Sequence, residues 1–219
     1  MGCGSAKSND SKIVSSGKVE IHYFNHQKSD TCFLILQYHR IRFQEHLVTQ
    51  ESWKTLKNSG LSEFGSLPVL EIDDFRLVES RAISRYLAKK FGNYPLNLVD
   101  AYWVESLCDF KQDFLNIILS ADGPETKCTN SEVIMGNSPF FLSRFEARLK
   151  RNNGGNGWFV GDVVSLADFE VFSIVWNYFL RPDLRPKYVM MFKVHAPRVL
   201  AFSERFLSTA PHIKSHLSS

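Results

Sequence analysis

The stretch SLPVLEIDDFRLVESRAISRYL, residues 66–87, constrains the fold more than any other part of this chain. VLEI (69–72) and FRLV (75–78) are short runs with β-type patterning, and the Asp73-Asp74 pair between them is a two-residue hairpin turn. Glu79-Ser80 then opens SRAISRYLAKKFG (80–92), where Ile83, Tyr86, Leu87 and Phe91 recur at helical spacing and Gly92 supplies a stop. Pro68 sits immediately before the first of the two strands. The segment therefore reads strand, turn, strand, helix, with no linker before the helix.

Upstream, KVEIHYF starts at Lys18 and alternates, so that Val19, Ile21 and Tyr23 share one face of a strand. TCFLILQYH (31–39) is apolar on more than one side, as a helix covered by a sheet must be, and RFQEHLV (42–48) alternates as a second strand. ESWKTLKNSG (51–60) is a short amphipathic helix closed by Asn58-Ser59-Gly60. The order β-α-β-α-β-β-α is the thioredoxin-like arrangement, and it predicts an α/β domain over 17–93. After the link NYPLN (93–97), the segments 98–122, 133–152, 165–180 and 197–208 carry helical periodicity, with no convincing strand pair. An all-α domain over 98–219 follows.

With 44% apolar residues in a chain of 219, there is material for a substantial core. The 26 basic residues are interleaved with 23 acidic ones, giving +3, and no Lys/Arg block is long enough to track a phosphate backbone. Nucleic acid is not an expected partner. Cys3, Cys32, Cys108 and Cys128 are far apart, without a CxxC pair, and the seven histidines, His22 and His26 included, show no ligand spacing. The sequence predicts no metal site and a reducing, cytoplasmic setting. No run approaches the roughly 18 apolar residues that cross a bilayer.

The first 16 residues, MGCGSAKSNDSKIVSS, are small and polar, and read as a flexible leader. Loss of Met1 would expose Gly2 for myristoylation beside a palmitoylatable Cys3, with Lys7 and Lys12 adding attraction to anionic lipid. Two acyl chains anchor stably where one does not, which places the protein at the cytoplasmic face of a membrane. Ala6 stands where the myristoylation pattern prefers Ser or Thr, so a plain disordered leader is the competing reading.

Four separated features make the chain, from about residue 18 to 210, resemble the cytosolic glutathione transferases, most closely the sigma class. They are Tyr23-Phe24-Asn25 at the end of the first strand, Trp53 with Lys57 ahead of the Leu67-Pro68 step, Glu79-Ser80 at the helix start, and GDVVSLADF (161–169). In the last of these, Ser165 and Asp168 also make an ordinary capping box. The resemblance implies that Pro68 is cis, so that the Leu67 backbone receives glutathione like an added strand. It implies that Ser80 and the helix N-terminus take the γ-glutamyl carboxylate, that Glu79 takes the adjacent ammonium, and that Trp53 and Lys57 take the glycyl end. The Tyr23 hydroxyl would donate to the glutathione sulfur and favour the thiolate. Asp109, on the first helix of the second domain, would reach the ammonium across a homodimer. Tyr102, Trp103, Ser106 and Phe110 would wall the pocket for a hydrophobic electrophile. Taken by themselves, Ser80 is equally a cap, Trp53 equally packing, and Pro68 required by the fold with or without a ligand.

The chain departs from the sigma pattern where HQKSDTC (26–32) replaces a small, basic stretch: Ser29 stands in place of an arginine that supports the catalytic hydroxyl. Ser66 replaces a polar Gln or Lys contact, and two extra residues lie between Trp53 and Pro68. Two functions remain open. One is a glutathione transferase, isomerase- or peroxidase-like as some sigma members are. The other is a non-catalytic binding or scaffold protein tethered by its leader, comparable to lens crystallins of the same fold. Ser29 is a rival to Tyr23 by analogy with classes that use serine. A cysteine-type redox enzyme would need an exposed Cys32, which instead leads the apolar run Phe33-Leu34-Ile35.

Overall fold

This computed structural model describes residues 17–24, 30–120 and 130–217. Gly2, Cys3 and Ser29 lie outside the described residues. The described residues divide into two compact units, one formed by 17–24 with 40–83, the other by 30–39 with 84–120 and 130–217.

The first unit is built on a sheet of order β2-β1-β3-β4, with β1 Val19–Phe24, β2 Gln44–Val48, β3 Val69–Ile72 and β4 Phe75–Val78. β1 and β2 run parallel, which requires a crossover in the intervening chain, while β3 is antiparallel to both β1 and β4. Alternation along β1 works as the sequence predicts: Ile21 and Tyr23 are fully buried, and Glu20, His22 and Phe24 point to the opposite face. Asp73 takes φ 55° in the hairpin turn, a left-handed value that Asp tolerates better than most residues. Helix α2 (Gln50–Leu56) opens with a reciprocal Thr49–Ser52 capping box. Contrary to the amphipathic reading of 51–60, none of its residues is buried, so local capping rather than an apolar face defines it. Helix α3 (Ser80–Lys90) starts in this unit and continues into the other from Ser84.

The second unit is helical. Helix α1 (Thr31–Tyr38) buries six successive residues, Thr31 to Leu36, which explains its lack of a polar stripe. Helix α3 is closed just past its end by Gly92, where φ 78° makes a Schellman turn through the Asn93 N–H to the Ala88 carbonyl at 2.7 Å. Helices α4 (Leu98–Ser120) and α5 (Asn130–Arg151) follow, then α6 (Leu166–Val175), in which every residue is buried. The helix continues through a π-helical turn, Trp176–Leu180. Two helices escape the sequence reading, α7 (Arg185–His195) and α9 (Pro211–Leu217), on either side of the expected α8 (Pro197–Thr209). Helix α7 buries only Tyr188 and Phe192, one turn apart among basic residues, too sparse a stripe to stand out.

Phenylalanines fill the helical core. Phe172 and Phe206 stack at 4.3 Å, with Phe169 and Phe202 packed against Phe206 at 5.5 and 6.1 Å. Asn93 ties the end of α3 to the start of α6: its side-chain amide donates to the Val164 carbonyl at 2.9 Å, and its own carbonyl accepts the Leu166 N–H at 2.8 Å.

Candidate functional site

Within the sheet unit, the residues singled out in the sequence stand at strand ends and helix starts. Tyr23 is buried, and its hydroxyl donates to the Glu45 carboxylate on neighbouring β2. Burial, reinforced by that hydrogen bond and the carboxylate charge, pushes the phenol well above its ordinary range. Phe24, next along the strand, meets the half-buried Trp53 ring edge-on at 6.1 Å. Lys57 caps α2 and is exposed. Its side chain lies along Gly65, where a Cβ would come within 3.2 Å of Lys57 Cε and φ is 66°, so this position accepts little but glycine.

The Leu67-Pro68 bond is cis, as the resemblance implies, with Leu67 half-buried and Pro68 buried. Glu79 holds φ 68°, a left-handed conformation uncommon for a residue other than glycine, and its carbonyl accepts the Ile83 N–H at 2.9 Å. It is therefore Glu79 that occupies the boundary position, and Ser80 is the first helical residue rather than the cap. The Ser66 hydroxyl donates to Glu79 Oε1 at 3.0 Å, pinning the carboxylate beside the helix start. The sequence did not reveal Glu45 or Ser66 as partners. Neither strand register nor loop path is written in local pattern, although the polar Ser66 directly before Leu67-Pro68 was the one available signal.

In the helical unit, Asp109 on α4 is exposed. Glu105, one turn earlier, is fully engaged: Arg85 reaches it through Nε at 2.9 Å and Nη2 at 2.5 Å, and the Tyr94 hydroxyl donates at 2.8 Å. Of the expected pocket wall, Trp103 lies 4.1 Å beneath the Arg148 guanidinium and Phe110 packs on Phe141 and Phe145 at 4.8 and 5.3 Å, so both serve the α4–α5 contact. Tyr102 is 62% exposed, and the Ser106 hydroxyl donates to the Trp103 carbonyl. Asp168 is fully buried and does more than cap α6: one oxygen accepts from the Ser165 N–H and hydroxyl, the other from the Phe159 N–H, all at 2.8 Å. Cys32 is buried, and burial drives its thiol far above the ordinary range, which removes it as a nucleophile.

Family models described as Glutathione S-transferase, N-terminal domain, and Glutathione S-transferase, C-terminal domain, match residues 28–95 and 108–219. The chain belongs to the glutathione transferase family. Glutathione S-transferase A of Cavia porcellus is 34% identical over 169 residues, covering 74% of this chain and 75% of that one. Hematopoietic prostaglandin D synthase of Homo sapiens is 28% identical, covering 75% and 82%, and S-crystallins are among the further relatives, in keeping with a sigma-like placement. A Nu-class glutathione transferase from Haemonchus contortus superposes with a TM-score of 0.75 at 26% identity over 93% of this chain and 97% of its own. Glutathione transferases take glutathione as co-substrate and need no metal for its transfer. Among the described residues no helix is long and apolar enough to cross a membrane.

Proposed function

We propose that this protein is a glutathione-dependent transferase or isomerase that directs the glutathione thiolate at hydrophobic, lipid-like electrophiles, with peroxidase chemistry open to the same thiolate. The observation that carries this reading is the left-handed Glu79 at the mouth of α3, held by Ser66 and followed at once by Ser80. Such a conformation costs of order 1–3 kcal/mol, persists only where surrounding contacts over-determine it, and clusters at ligand-binding sites. The first N–H groups of α3 and the Ser80 hydroxyl would take the γ-glutamyl carboxylate, and Glu79 the ammonium beside it. Leu67 would pair its backbone with the peptide, Trp53 and Lys57 would hold the glycyl end, and Tyr23 would donate to the sulfur. The test is calorimetric titration with reduced glutathione of the wild type, Ser80→Ala and Tyr23→Phe. Binding weakened by Ser80→Ala and spared by Tyr23→Phe supports the site, and no binding by the wild type sinks it.

A second reading, a glutathione binder without turnover, is favoured by one observation: the Tyr23 proton is directed to Glu45. Titration and turnover measured on the same protein separate the two, since this reading requires saturable binding with no conjugation of a hydrophobic electrophile.

We further propose a homodimer in which the exposed Asp109 reaches the ammonium of glutathione bound to the partner. One glutathione transferase of this fold is described as monomeric, so sedimentation of the wild type and Asp109→Ala is the deciding measurement. The Gly2-Cys3 opening supports dual acylation and residence at the cytoplasmic face of a membrane. Failure of Gly2→Ala to alter membrane partitioning in cells would dismiss it.

A further inference from the structure

The face of the sheet opposite Tyr23 carries a group of side chains that the transferase reading does not use. His22 and His46 are register partners on the parallel strands β1 and β2, so their imidazoles lie face to face, 4.4 Å between centroids and 11° between planes. Glu20, two residues before His22 and on the same face, places Oε2 2.5 Å from His46 Nε2. Glu71, the antiparallel partner of Glu20 on β3, stands with Oε1 3.3 Å from His22 Nε2. Two carboxylates directly opposite one another on a sheet repel unless cations hold them. Here Lys18 sits on Glu20 and Arg76 on Glu71, leaving the imidazoles between.

We propose that Glu20, His22 and His46 form a binding site for a divalent transition-metal ion of the Zn²⁺ type. One ligand atom from each of the three lies within 4.8 Å of the others. Tetrahedral Zn²⁺ with bonds of about 2.0–2.2 Å sets its ligand atoms about 3.3 Å apart, so the side chains close on an ion by small rotations rather than by moving strands. Two imidazole nitrogens and a carboxylate suit Zn²⁺, Cu²⁺ or Ni²⁺ better than Mg²⁺ or Ca²⁺, which prefer all-oxygen shells. The ligands must present lone pairs, which two imidazole nitrogens and a carboxylate oxygen can supply on releasing their protons to solvent. Entry requires no unfolding, because the His46 side chain is 33% exposed and those of His22 and Glu20 are 17%. Lys18 and Arg76 orient the carboxylates from outside, and Glu71 or water completes the shell.

The ion takes no part in thiol transfer. His22 and Tyr23 point to opposite faces of one strand, so binding ties β1 to β2 behind the proposed catalytic residue.

The test uses the full chain with Cys3→Ser and Cys128→Ser, stripped with EDTA and titrated with ZnCl₂ by calorimetry. One equivalent is expected, with the thermal midpoint rising by about 5–10 °C at a hundredfold excess of free Zn²⁺ over Kd. His22→Gln with His46→Gln should weaken binding about tenfold or more while glutathione affinity stays unchanged. Should that variant fold poorly, imidazole nitrogen NMR of the parent protein decides, since Zn²⁺ must shift His22 and His46 together. No saturable binding, unchanged affinity in a folded double variant, or shifts confined to other histidines overturns the proposal.

Discussion

The Tyr23 hydroxyl donates its single proton to the carboxylate of Glu45, two register pairs back along the adjoining parallel strand. A phenol has one proton to give, and a glutathione sulfur seated at Tyr23 would compete for it with a full negative charge. Glu45 thus opposes the chemistry proposed for Tyr23.

Replacing Glu45 with Gln removes the charge and leaves a weaker acceptor. The hydroxyl turns more readily to the sulfur, and the thiol of bound glutathione should titrate about one unit lower, worth about 1.4 kcal/mol. Tyr23→Phe should move it the other way and slow conjugation about 10- to 100-fold, the range for loss of a hydrogen bond to a charged group. Thiolate ultraviolet absorbance followed against pH in the three proteins reads this directly. A rise in the thiol pKa with Glu45→Gln would mean that Glu45 assists Tyr23.

Glu79 offers a test of stored strain. Glycine at this position adopts φ 68° freely, so Glu79→Gly should match or exceed wild-type stability, by up to about 1 kcal/mol, while binding glutathione less well. Glu79→Gln retains the strain and an acceptor for Ser66 but lacks the charge, so only binding should suffer. Urea unfolding and glutathione titration of both variants separate backbone from charge. A loss above 1 kcal/mol in Glu79→Gly would show that the conformation is not strained.

The parts of the fold carried by local chemistry were the parts legible in sequence. The hairpin around Asp73-Asp74, the stop at Gly92 and the apolar run Cys32 to Leu36 of α1 each depend on residues adjacent in the chain. Helix α7 was missed because its buried face is two aromatics among lysines and arginines. The cluster of Glu20, His22 and His46 was missed for a different reason. It depends on a parallel register between strands more than 20 residues apart, which no local pattern encodes. Tyr23 and Glu79 could be named from motif, but Glu45 and Ser66, which hold them, could not.

Asp168 should make stability depend on pH in a particular sense. Burial, opposed by its three hydrogen bonds, lifts its carboxyl from near 3.8 to about 6 in the folded state. Between about pH 4 and 6 the native chain therefore holds a proton that the unfolded chain has released, and this group's contribution falls as pH rises through that window, by up to about 3 kcal/mol. Asp168→Asn cannot titrate, so its unfolding free energy should lack that decline relative to wild type. Asp168→Ala strands three buried donors and should lose about 3–5 kcal/mol at every pH. Urea midpoints at pH 4, 5, 6 and 7 give both results, and parallel curves for wild type and Asp168→Asn would place the titration elsewhere.

Lys111 on α4 and Glu170 on α6 form a buried ion pair at 2.6 Å, their side chains 15% and 4% exposed. Burial alone would depress the lysine, but the charge and hydrogen bond of Glu170 outweigh it and raise it above its ordinary range. Glu170→Gln takes the hydrogen-bonded counter-charge from the ammonium, leaving only the charge of Asp30 to act on it, and should lower stability by about 3–5 kcal/mol, equivalent to a fall in Tm of roughly 6–20 °C. Lys111→Met should be comparably harmful, for it leaves Glu170 unpaired near Asp30, whose carboxyl burial already lifts to about 6. The double variant Lys111→Met, Glu170→Leu removes both charges and fills similar volume, so it should be more stable than either single variant and close to wild type. Additive losses in the cycle would show that the two charges are each hydrated independently, and that α4 and α6 are held together by their apolar contacts alone.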